Sequence, residues 1–311
     1  MIDKFKNHYF KNYSKKYSYP KIVNSYLDNY LKDVNADYLE LAMKHFEAKN
    51  GTYYRSTGSS GKFVLTFTNC FISAPINDKI SPKYLFHELG HAVDYVPSLD
   101  GKSLGKYNSS TMILSCGKSL NSCLIEELGQ VKDILCAFIE ERFNSEFITQ
   151  VQEDKFNKLI NNIKLKKQLM ELNRKISKYC TTSGNYFQRY ALAPAEIKTL
   201  IKERNRIKSK ILSIEDENNL RRCIYDNQAY MTFACKYNLL IDMLSVYYPL
   251  NKIFPVHSKS YQKMHLGIEF FAETFASHIL NKYDEIELTK RFFPKTHQCF
   301  IQLIEYSKTL Y

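Results

Sequence analysis

Tryptophan is absent from this 311-residue chain, and glycine is scarce. Its 10 glycines compare with the roughly 22 that average usage would supply, which argues against a turn-rich all-β architecture. No CxxC pair occurs. The eight cysteines, Cys70, Cys116, Cys123, Cys136, Cys180, Cys223, Cys235 and Cys299, are scattered. Settings such as Leu135-Cys136-Ala137-Phe138 suit buried thiols in a reducing compartment. No uncharged apolar run approaches the ~18 residues of a membrane span; the best, 237–250, contains Asp242. Residues 1–19 are rich in Lys, Tyr and Asn and lack the apolar core of a signal peptide. A cytoplasmic protein is therefore expected, and delivery into a target cell by a specialised route is compatible with the same N-terminus. Internal repeats and Pro- or Gly/Ser-rich linkers are also missing.

What is present is enough to build a core. Hydrophobic residues make up 44% of the chain, with 24 Tyr and 20 Phe as its large aromatics. The formal net charge is +12, a balance that favours acidic partners without saying anything about fold. That charge is concentrated. Residues 151–210 hold 15 Lys and Arg against 5 Asp and Glu, so the rest of the chain is close to neutral. Within this stretch Leu165, Leu169, Leu172, Ile176 and Tyr179 follow a 4-3-4-3 spacing, and Ile197, Leu200, Arg204, Ile207, Ile211 and Ile214 follow a similar one. Both spacings predict amphipathic helices, joined by a polar linker at 180–193, with Pro194 suited to the first turn of the second. The expected result is a basic antiparallel hairpin. It is either a solvated face or a docking surface for an acidic protein or nucleic acid.

Elsewhere the pattern is mostly helical, with one strand expected at 62–76 after a Gly-rich loop at 58–61. Helices are expected at 24–49 (interrupted near Asn35), 124–143, 156–179, 195–214, 227–248, 268–282 and 297–306. The overall class is α+β, predominantly helical.

One segment carries chemistry. Phe86-His87-Glu88-Leu89-Gly90-His91-Ala92-Val93-Asp94 contains HExxH, introduced by Ser81 and Pro82 as helix-start signals. On a helix His87 and His91 share a face and offer two imidazoles to one zinc ion, while Glu88 lies beside the metal as a general base. A third ligand must come from a distant part of the chain. Gly267-Ile268-Glu269-Phe270-Phe271-Ala272-Glu273-Thr274-Phe275-Ala276 places two carboxylates at i and i+4 on an otherwise apolar helix. A metal at Glu269 and an imidazole oriented by Glu273 account for both. Glu126-Glu127 and Glu140-Glu141 are rivals that fit a solvated helix side better.

These two segments together resemble the catalytic domain of anthrax lethal factor and related zinc peptidases, including clostridial Pro-Pro endopeptidases and phage- or polymorphic-toxin-associated members. The resemblance covers residues 53–96 and 255–280. It implies a zincin-like core with a small sheet, and a zinc-dependent endopeptidase acting on a protein or peptide as a toxin, effector or mobile-element protease. His87, His91 and Glu269 would then be the ligands and Glu88 the base. Tyr261 in Ser260-Tyr261-Gln262 would assist at the oxyanion, with His257 or His265 as alternatives. Asp94, one turn past His91, matches a position that supports a ligand. The stretch between His91 and Glu269 is far longer than the family's core needs, which points to an inserted helical domain. The expected layout is an N-terminal catalytic part at 1–118, a helical insertion at 119–250 and a C-terminal catalytic segment at 251–311. Glu269-x-x-Ala272-x-x-Phe275-Ala276 is also similar to cytosolic repressor-cleaving regulatory metallopeptidases. A nucleic-acid or anionic-surface binding module with a structural zinc is the remaining alternative.

Overall fold

The computed structural model describes residues 2–12, 31–56, 62–66, 69–75, 83–96, 107–147, 153–181, 194–225, 228–245 and 259–311. Among them the chain is mostly helix with a three-stranded sheet and a short two-stranded ladder. It divides into two compact units. Met1–Ile139, Cys235–Asn251 and Val256–Tyr311 form the first; Glu140–Ala234 and Lys252–Pro255 form the second. The second unit is narrower than the expected 119–250 insertion, because residues 119–139 and 235–250 belong with the first.

The first unit starts with α1 (Ile2–Lys11) and α2 (Ala36–Ala48). Asn35 caps α2, its side-chain oxygen accepting from the backbone N–H of Asp37 at 3.1 Å. The sheet follows as β1 (Thr52–Ser56), β2 (Lys62–Leu65) and β3 (Cys70–Pro75). β3 is central, parallel to β1 and antiparallel to β2. The single strand expected at 62–76 is thus two strands and a reversal. Thr66 and Asn69 close the turn: the Thr66 N–H donates to the Asn69 carbonyl at 2.8 Å, and the Asn69 N–H donates to the Thr66 hydroxyl at 3.1 Å.

Next come α3 (Lys83–Asp94), a short ladder of β4 (Tyr95–Val96) with β5 (Tyr107–Asn108), and a 3-10 turn at Ser109–Thr111. Helix α4 (Leu120–Arg142) runs out of this unit. The unit resumes within α8 (Gln228–Leu244) and ends with α9 (Lys259–Ile279), α10 (Tyr283–Phe292) and α11 (Pro294–Lys308). Every residue of α3 except Tyr84 is buried. A helix apolar or satisfied on all sides lies inside a core rather than on its surface. Its Phe86 lies 5.9 Å from Phe5 between ring centroids, in a buried aromatic cluster with Tyr9, Phe46 and Tyr53, where Tyr53 is 4.4 Å from Phe46 and 4.5 Å from Tyr9. On another side α9 buries Phe270, Phe271, Ala272, Phe275 and Ala276. The α3–α9 contact is the most extensive between any two elements.

The second unit holds a π-helical turn at Phe143–Phe147, then α5 (Glu153–Thr181), α6 (Ala195–Lys208) and α7 (Ile214–Tyr225). α5 and α6 pack on one another, and Leu159, Ile163 and Ile176 of α5 and Ile201 and Ile207 of α6 are buried. Asn162, early in α5, accepts a hydrogen bond from the Leu212 N–H just past the end of α6. The pair therefore runs antiparallel, as the two basic seams imply. The helix expected to continue to Ile214 stops at Lys208, and α7 begins a separate turn. Its Glu217 is bonded by Asn162, Lys166 and Arg221. Lys155, Lys158, Lys164, Lys167, Arg174 and Lys178 are exposed along α5. Among the described residues, no helix is long and apolar enough to cross a membrane.

Candidate metal centre

α3 and α9 bring together HExxH and the Glu269 segment, which are distant in sequence. His87 and His91, one turn apart on α3, place their rings 4.7 Å apart and perpendicular. Glu269 of α9 lies against both. Its carboxylate is 3.2 Å from His87 Nε2 and 3.7 Å from His91 Nε2. One atom from each of the three residues falls within a 4.8 Å group, and all three residues are buried. Two imidazole nitrogens and one carboxylate oxygen form the donor set of a catalytic zinc site that keeps a position open. The residues fit the metal by chemistry and by convergence. Glu88 is buried on the same turn of α3.

The geometry behind the ligands is equally specific. His87 Nδ1 faces the Glu273 carboxylate at 3.1 Å, one turn along α9 from Glu269. Glu273 also receives the Asn238 amide at 2.6 Å and the Lys83 ammonium at 2.9 Å. Lys83, buried at the first turn of α3, reaches on to Glu285 at 2.6 Å, and Ser277 donates to the same Glu285 oxygen. A buried chain therefore runs Glu285–Lys83–Glu273–His87 towards the ligand position. Burial alone would favour a neutral Glu273, but Lys83 and His87 hold its carboxyl well below the usual range. Burial likewise disfavours a charged Lys83, and Glu273 and Glu285 outweigh it. For His87 burial is again overcome, by Glu273 and Glu269, and its affinity for a proton is raised. The space between His87 Nε2 and Glu269 therefore favours positive charge.

One close approach sets the spacing. A Cβ added at Gly90, inside HExxH, would lie 2.8 Å from the Ala272 Cα and 2.9 Å from its carbonyl oxygen, inside EFFAE. The two backbones cross at these small residues, and the crossing brings Glu269 up to the histidines. On the sheet side Phe63 of β2 lies 6.2 Å from His91 and 5.5 Å from Tyr95 between ring centroids. β2 is an edge of its sheet among the described residues.

The other sequence expectations divide. Glu273 faces an imidazole, as its spacing implies. Asp94 does not: its carboxylate accepts from Asn108 Nδ2, Ser109 Oγ and the Ser110 N–H, each at 2.8 Å, and from Ser110 Oγ. It anchors the 108–110 turn to the end of α3 instead of supporting a ligand, and burial pushes its carboxyl up to about 6 despite those donors. α9 begins at Lys259, nine residues before the expected start, so Tyr261 lies two turns and His265 one turn before Glu269 on one helix. The Tyr261 side chain, His257, Ser81 and Pro82 lie outside the described residues. Glu126 is exposed and paired with Lys118, whereas Glu127 is buried. Glu127 caps α11, accepting from the Lys295 and Thr296 N–H groups at 2.9 Å each. Lys83, Asn238 and Glu285 escaped sequence reasoning, because nothing in their neighbours marks a buried partner. Compared with known proteins, the chain matches no family model, no curated protein and no solved structure.

Proposed function

We propose that this protein is a zinc-dependent endopeptidase of the lethal-factor-like zincin kind. One observation carries the reading: two HExxH imidazoles and a remote carboxylate converge on a point that a second buried carboxylate supports from behind. His87, His91 and Glu269 would hold the metal. When bound, zinc would supply Lewis acidity, activating a water and polarising the scissile carbonyl. Glu88 accepts the proton released by the attacking water and returns it to the departing amine. Glu273 orients the His87 ring through Nδ1, and Lys83 with Asn238 keeps Glu273 ionised and in place. The outer edge of β2, unpaired among the described residues and with Phe63 next to His91, suits an extended peptide adding as a further strand. A purely structural metal is disfavoured by the donor set, since such sites usually close with cysteines, and no cysteine belongs to this group of ligands.

Terminal-amine profiling of a cytosolic lysate treated with wild type or with Glu88→Gln tests this. New N-termini should appear with wild type and fall by about 10²–10⁴-fold with the variant, while its zinc content is unchanged. Equal cleavage by both would reject the mechanism.

A further inference from the structure

A second group of metal-ligand side chains lies in the first unit, outside the site just described. Cys116, Cys123 and Cys299 bring their sulfurs within 4.8 Å of one another, and Cys123 Sγ is 3.5 Å from Cys299 Sγ. Cys123 and Cys299 are buried; Cys116 is exposed. Cys116 sits on a tight turn closed by the Leu114 N–H on the Lys118 carbonyl, with Gly117 at φ 75. Cys123 is in the first turn of α4 and Cys299 in the second turn of α11.

Cys299 Sγ donates to Cys123 Sγ and Cys116 Sγ to the Lys118 carbonyl, and groups other than the thiols also hold this convergence. One turn along α4 from Cys123, the Glu127 carboxylate clamps the start of α11 through Lys295 and Thr296. The Ser119 hydroxyl accepts from the Ser122 N–H and fixes the start of α4 behind Cys116. The first turn of α4, where Cys123 sits, favours negative charge there once a cation draws the protons off.

We propose that Cys116, Cys123 and Cys299 form a three-thiolate site for a soft d10 cation, zinc or monovalent copper. A disulfide would use only two of the three sulfurs; a cation uses all three, and the exposed Cys116 gives it a way in. Bound metal would release protons and tie the 114–118 turn to α4 and α11. The site is independent of His87, His91 and Glu269, and neither proposal depends on the other.

Cadmium serves as a d10 probe whose thiolate charge-transfer band reports sulfur ligation directly. In the reduced full-length protein one equivalent should produce the band. His91→Ala should retain it. Cys299→Ser should abolish it. Cys116→Ser, a change at an exposed turn position with little risk to folding, should weaken binding by more than about tenfold, because even outer-shell partners are worth about 10- to 100-fold. Competition with Zn²⁺ and with Cu⁺ then identifies the preferred ion as the one that removes the band at lower free concentration. No band in wild type, a band that survives both cysteine variants, or a Cys123–Cys299 disulfide in protein purified under reductant would each overturn the proposal.

Discussion

Replacing Gly90 by Ala tests whether the crossing of α3 and α9 sets the ligand geometry. The added Cβ would meet Ala272 backbone atoms at 2.8 and 2.9 Å, where ordinary contact begins at 3.4 Å. A helix backbone cannot rotate away as a side chain can, so α9 must retreat by roughly 0.6 Å or more near Glu269, beyond the ~0.5 Å tolerance of a preorganised site. Alanine itself favours helix over glycine by about 0.5–1 kcal/mol, whereas overpacking of this kind costs about 1–3 kcal/mol. The net expectation is a loss of about 1–2 kcal/mol, or roughly 2–8 °C in Tm for a unit of this size. Zinc affinity should fall with it. Gly129, also in a helix, has nothing within 4 Å of an added Cβ, so Gly129→Ala supplies the control. It should gain about 0.5–1 kcal/mol and leave zinc binding alone. Thermal melts and zinc competition titrations on the two variants separate helix propensity from the crossing. Wild-type zinc affinity and an unchanged or raised Tm in Gly90→Ala would refute the reasoning.

Two further predictions concern the buried charges. Lys83→Met strands Glu273 and Glu285 without their cation and should cost about 3–5 kcal/mol by denaturant titration; the double change of Lys83 to Met with Glu285 to Gln should recover part of it, and equal losses in the two would contradict the pairing. Asp94 binds a proton more tightly in the folded chain than in the unfolded one, with its carboxyl pushed up to about 6. Its contribution is therefore present in acid and is lost as pH rises from about 4 to 6, by about 3 kcal/mol over that window. Relative to Asp94→Asn, wild type should lose stability across that interval, and parallel stability curves for the two proteins would remove the assignment.

The residues that converge between α3 and α9 were legible because polar residues stood where the local pattern demanded apolar ones. His87, His91, Glu269 and Glu273 interrupt hydrophobic helix faces at turn spacing, and burying them requires partners. Where a charge followed ordinary helix patterning its partner was invisible. Glu127 read as solvated but caps α11 from a great distance in sequence, and Asp94 read as a ligand's support but holds Ser109 and Ser110. The 62–76 strand hid its reversal because β-branched and aromatic residues continue through it, and the turn depends on Thr66 and Asn69, neither a strong breaker. The basic seams specified helices α5 and α6 well. The stop at Lys208 depends on Asn162 catching the Leu212 N–H, a tertiary hydrogen bond with no local signal.

Anomalous diffraction at the zinc edge from crystals of the zinc-loaded protein locates the metal. A peak is expected bonded to His87 Nε2, His91 Nε2 and a Glu269 oxygen at about 2.0–2.2 Å, with His87 Nδ1 still directed at Glu273. A zinc peak bound elsewhere with these three residues unligated, or no peak between α3 and α9 at saturating zinc, would contradict that placement.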